Sequence, residues 1–113
     1  MCNKTVLNEI TTKVVQAARA SLGKKLDKVI LYGSYARGDL DNESDIDIMV
    51  LADIPHDEIN SEWKRIWELT GDLDLEYNVL VSLLVTDCNT FYKFINDLPF
   101  YSNVMKDGVL LSA

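Results

Sequence analysis

Cysteine, histidine and proline are scarce in this chain, with two cysteines, one histidine and two prolines in 113 residues. Cys2 and Cys88 stand in no metal-ligand spacing, which argues against a zinc site and against a Cys–His nucleophile. Cys88 reads as a small packing residue and His56, beside Pro55 at a helix start, as a solvated one. Positive charge is also short, with 11 Lys and Arg against 18 Asp and Glu and a net charge of −7. That balance creates no broad attraction to DNA, RNA or anionic lipid, so no direct nucleic-acid or membrane binding is expected. A polyanion must then be held locally, through metal and backbone donors, while a basic protein is a favourable partner. No apolar run approaches membrane-spanning length, and Met1-Cys2-Asn3-Lys4-Thr5 lacks the apolar stretch of an export signal, so a cytoplasmic location is expected. Repeats, low-complexity segments and Pro/Gly/Ser-rich linkers are missing as well, and residues 1–113 read as a single domain with one modest core.

What the chain does have is a glycine–serine turn and an acidic loop between two apolar runs. Lys28-Val29-Ile30-Leu31-Tyr32 is β-branched and bulky, the pattern of a strand buried on both faces. It stops at Gly33, whose missing Cβ lets a ligand approach the backbone, and Ser34 starts a short turn through Tyr35, Ala36 and Arg37. The free N–H groups of such a turn, with the Ser34 hydroxyl, form an anion site. Arg37 has two readings, neutralising a phosphate or facing solvent. The second run, Ile46-Asp47-Ile48-Met49-Val50-Leu51, has acids at its entrance. Side chains alternate along a strand, so Asp45 and Asp47 project to the same side. Two adjacent carboxylates repel unless a cation lies between them, and Mg²⁺, which shares hard oxygen ligands with substrate phosphates, fits best.

These residues resemble a known family. Gly33-Ser34, ten residues, then Asp45-Ile46-Asp47 is similar to the signature of the polymerase-β-type nucleotidyltransferase superfamily. The Gly-Ser-x-Ala-x-Gly form of Gly33 to Gly38 resembles its minimal nucleotidyltransferase branch. The resemblance implies an α/β (α+β) nucleotidyltransferase fold. It implies that Gly33 and Ser34 grip a nucleoside triphosphate such as ATP, with Arg37 and Ser44 as further nucleotide-binding candidates. Asp45 and Asp47 are the implied catalytic and metal-binding acids, holding two Mg²⁺ ions about 3.5–4 Å apart in an in-line displacement at phosphorus. The reaction implied is transfer of a nucleoside monophosphate to an acceptor hydroxyl with release of pyrophosphate. Minimal relatives act as antitoxins of HEPN-domain proteins, so the implied partner is a HEPN-type protein and the implied acceptor a hydroxyl on it, a tyrosine among the candidates.

The pattern is departed from in one place. The family's third acid belongs on the next strand, read here as Tyr77 to Val85, and Ser82 occupies its expected position. Serine is neither an anionic ligand nor a general base, and Asp74 and Glu76 lie too far upstream to replace it without a change of register. An alternative therefore stands beside the enzyme: a catalytically impaired module of the same fold that binds nucleotide, or neutralises its partner by forming a complex. A plain acidic interaction domain is a third reading.

Other motifs lead nowhere. Asp39, Asp41 and Glu43 alternate as in a calcium loop, but Ser44 stands where glycine is required and Val50 where the closing glutamate belongs. Arg37-Gly38-Asp39 spells an adhesion tripeptide that follows from the motif. The remaining pattern predicts a helix over Thr5 to Leu22 stopped by Gly23. A second is opened by Pro55 and ended by Gly71, with Ile59, Trp63, Ile66 and Trp67 as a core stripe. A third helix, capped by Asp87, places Phe91, Phe94, Ile95 and Leu98 on one face. A last one turns Phe100, Val104 and Tyr101 inward. Val109-Leu110-Leu111 is an apolar tail in need of a partner surface, in this chain or another. The expected architecture is a mixed three-stranded sheet flanked by four or five helices, packed mainly on one face, with the cleft near Gly33 and Asp47.

Overall fold

The structure is a computed structural model that describes residues 3–38 and 45–112. Asn3 caps the first helix, its side-chain oxygen accepting from the Val6 N–H at 2.9 Å, and α1 runs Lys4–Leu22. Strand β1 is Leu26–Tyr32 and β2 is Ile46–Ala52. Helices α2 (Ile59–Thr70) and α3 (Leu73–Tyr77) then lead to β3 (Val81–Asp87). Two further helices, α4 (Cys88–Phe94) and α5 (Pro99–Asp107), precede β4 (Val109–Ser112). The third strand thus starts later than the sequence suggests. Tyr77 ends α3, and Asn78 turns the chain through left-handed backbone at φ 53°.

The sheet order is β3-β2-β1-β4. Strands β1 and β2 are antiparallel, β2 and β3 parallel, and β4 pairs antiparallel with β1. Parallel neighbours need a long crossover, which α2 and α3 supply. The expected three-stranded sheet is corrected to four strands. The apolar tail finds its partner on β1, where Leu31 faces Val109 and Ile30 faces Leu110. Ser112 then accepts a hydrogen bond from Arg19 Nη2 at 3.0 Å, tying the last strand to α1.

Alternation along β1 and β2 sorts the core into two faces. Val29, Leu31, Ile46, Ile48 and Val50 pack against Ile10, Val14 and Ala18 of α1, Ile66 of α2 and Leu73 of α3. Ile30, Met49 and Leu51 point the other way, against Cys88 and Phe91 of α4 and Val104 of α5. Helices therefore cover both faces, with the larger core under α1 to α3. Fully burying a side chain such as Ile48 or Phe91 contributes about 1.5–3 kcal/mol, so the smaller cluster holds α4 and α5 in place. Of the aromatic stripe expected on α4, Phe91 is buried while Phe94 and Leu98 are exposed. The tryptophans differ from a plain core stripe. Trp63 and Trp67 stack at 5.9 Å, and Trp63 Nε1 donates to the Leu83 carbonyl at 2.8 Å, fastening α2 to the outer strand.

Candidate functional site

The site grows from the end of β1. Tyr32 is its last residue, and Gly33 follows at φ 76°, where a side chain is strained. A Cβ at Gly33 would also collide with the Asp47 carboxylate. The turn closes through Arg37 N–H to the Ser34 carbonyl at 3.1 Å and Gly38 N–H to the Tyr35 carbonyl at 3.2 Å. Tyr35 is buried in the main core and anchors the turn, which leaves Ser34 partly exposed and Arg37 exposed.

Strand β2 brings the acids to that turn. Asp47 lies in register with Tyr32 on one side and Ser82 on the other. It shares the sheet face of Met49 and Leu51, because side chains two apart point the same way. Burial pushes the Asp47 carboxyl above its ordinary value and the neighbouring charge of Asp45 pushes it further, so the two carboxylates feel each other. Tyr32 is pushed up to about 12 by burial and by Asp47, and its phenol stays protonated at neutral pH. The structure thus brings Gly33, Arg37, Asp45 and Asp47 together with the Ser34 turn. Ser44 lies outside the described residues, as do Cys2 and the loop acids Asp39, Asp41 and Glu43.

A cleft of about 240 Å³ opens between this corner and α5, lined by Tyr32, Gly33, Arg37, Asp47, Phe100, Asn103, Val104 and Asp107. The α5 side was not legible as a site beforehand. Phe100 was expected inward, yet it is 47% exposed and lies edge-on to Tyr32 with ring centroids 5.7 Å apart. The available signal was the spacing of Phe100, Asn103 and Asp107, which puts an aromatic ring, an amide and a carboxylate on one helix stripe. The upstream acids are engaged elsewhere. Asp74 Oδ1 accepts from the Val81 N–H at 3.1 Å, and Glu76 pairs with Lys13 at 3.0 Å.

Among the described residues no group of three or more His, Cys, Asp or Glu converges on a metal position. The donor set beside the turn is two carboxylates, all hard oxygen. This suits a cation that keeps waters and completes its shell from substrate phosphates, as Mg²⁺ does. The raised Asp47 carboxyl has the same sense, since a cation there relieves its repulsion with Asp45.

The family pattern described as a nucleotidyltransferase domain matches residues 13–111. This chain belongs to that family. As a nucleotidyltransferase domain it is 36% identical over 97 residues to a Methanocaldococcus jannaschii protein named as a putative protein adenylyltransferase, covering 86% of this chain and 89% of the relative. Among solved structures, this nucleotidyltransferase is similar to a chain of a mutant toxin–antitoxin MntA–HpeT complex, with 25% identity and a TM-score of 0.57. The match covers 91% of this chain and 72% of that one. It also shares its fold with a chain of a tri-AMPylated Shewanella oneidensis HEPN toxin in complex with MNT antitoxin, at 24% identity and a TM-score of 0.55. That likeness covers 95% of this chain and 72% of the other. Among the described residues no helix is long and apolar enough to cross a membrane.

Proposed function

We propose that this nucleotidyltransferase moves AMP from Mg-ATP to a hydroxyl of a HEPN-type protein partner and so acts as its antitoxin. The observation that carries the reading is the approach of Asp47 to Gly33, which makes the phosphate turn and the acids one corner. Amides of the Gly33–Ser34 turn and the Ser34 hydroxyl hold the β- and γ-phosphates, with Arg37 neutralising charge beside them. Asp45 and Asp47 are the residues that would hold Mg²⁺. What magnesium supplies when bound is neutralisation of charge at the α-phosphate and on the departing pyrophosphate. The acceptor oxygen bonds to the α-phosphorus as the bridge to the β-phosphate breaks, and the hydroxyl proton passes to a phosphate oxygen, since Ser82 is no base. The adenylyltransferase relative supports adenylate as the group moved, and the toxin–antitoxin neighbour supports a protein acceptor.

The register of Asp47 with Ser82 favours a second reading, a site that binds nucleotide and partner without turnover. Incubation with α-labelled ATP and a HEPN-type partner protein separates the two. Label on the partner that disappears with Asp47→Ala supports transfer. An unlabelled partner held in a stable complex supports the binding module, and there Ser82→Asp, which places a third carboxylate beside Asp47, is expected to switch labelling on. Calorimetry in which the wild type binds no Mg-ATP would sink both nucleotide readings.

A further inference from the structure

We infer that α5 is the nucleoside-reading wall of the cleft, with Phe100 stacking on the base and the Asn103 amide selecting adenine. The inference rests on the nucleotidyltransferase reading of the same corner. The residues proposed to hold phosphate and metal lie on the β1–β2 side of the cleft, so a nucleoside carried by those phosphates would extend toward the opposite wall, and that wall is α5. Phe100 and Asn103 are one helical turn apart on its cleft-facing stripe, with buried Val104 as the floor beneath them.

Phe100 is a large apolar ring left 47% open to solvent at the mouth of a cleft, held edge-on by Tyr32 at an interplanar angle of 81°. Tyr101 also touches the ring, at a centroid distance of 5.9 Å and tilted by 48°, and a base can stack on the part that remains open to solvent. Asn103 is exposed, and its side chain presents a donor group and an acceptor side by side. Adenine offers the complementary pair, the N6 amino donor and the N7 acceptor. With the N7 edge of the base turned to α5, guanine offers two acceptors at O6 and N7, which leaves the asparagine oxygen without a partner. The cleft therefore prefers ATP to GTP, and the preference belongs to one side chain.

Competition titrations of Mg-ATP and Mg-GTP with the full chain test this, using wild type, Phe100→Ala and Asn103→Leu. Phe100→Ala is expected to weaken both nucleotides alike, by about tenfold, because stacking is indifferent to the base. Asn103→Leu is expected to leave GTP nearly unchanged and to reduce the preference for ATP by about tenfold. Both positions are exposed, so melting temperatures should match the wild type and show that the fold is intact. Nucleotide binding by the wild type that neither substitution alters would overturn the α5 wall and leave the proposed function standing. An effect of Phe100→Ala with none from Asn103→Leu would overturn adenine selection. No binding by the wild type would overturn the proposed function, and this inference with it.

Discussion

At the scale of single residues, the corner between Gly33 and Asp47 holds a carboxylate whose ionisation is disfavoured by burial and by a neighbouring charge. Asp47 is half-buried beside Asp45, and its carboxyl titrates above the ordinary range because burial and then the second charge disfavour ionisation. A carboxyl raised in the folded state contributes stability that is full below its unfolded pKa, about 3.9, and lost as pH rises through the folded value. An amide in place of this carboxyl cannot ionise. Asp47→Asn is therefore expected to raise the melting temperature of the metal-free protein at pH 7 and to leave it nearly unchanged below about pH 4, where the carboxyl is protonated folded and unfolded. Thermal melts with and without Mg-ATP check this, and on the proposed function the order should reverse with ligand present, because an amide is a poorer ligand than a carboxylate for a hard cation.

At the scale of elements, two side chains hold the far end of the sheet together. Asp87 ends β3, caps α4 by accepting from the Thr90 N–H at 2.8 Å, and meets His56 Nδ1 at 3.1 Å. Burial pushes the Asp87 carboxyl up, but its bonds with Thr90 and His56 outweigh this and hold it below the usual range. A carboxyl lowered in this way stabilises the fold above its unfolded pKa, and that contribution is lost as pH falls through the folded value. Asp87→Ala is expected to cost about 1 kcal/mol at neutral pH, the worth of a helix cap. It should also flatten the loss of stability on acidification, as denaturant titrations at several pH values would show. His56, read as merely solvated, is 86% exposed along its side chain yet serves this pin. Trp63 does comparable work for α2, and neither role follows from helical spacing, because each depends on a strand distant in sequence.

At the scale of the whole molecule, charge decides the kind of partner. Eighteen acids against eleven bases give a net charge of −7, a balance expected to favour a basic protein over nucleic acid as partner. Association with the proposed HEPN-type partner is expected to slow and weaken as salt rises, mainly through the on-rate, because screening shortens the reach of the acidic field. Stopped-flow or surface-binding kinetics across a salt series measures it. Rates unchanged by salt would mean that the acidic balance plays no part in encounter.

The turn, the acids and the succession of helices and strands around them were legible in the chain because each is a local signal. Glycine at a positive φ, alternation along β2 and helix stops at Gly23 and Gly71 are set by neighbours a few residues away. The position of Ser82 was also readable, since strand register follows the alternation of buried side chains. The partner of Val109–Leu111, the helices over the second sheet face and the outward ring of Phe100 were not, for they arise between segments far apart in sequence. An apolar run states only that it must be covered. Which surface covers it depends on how the strands and helices pack in three dimensions, and here that packing extended the sheet with β4 and set α5 across from Asp47.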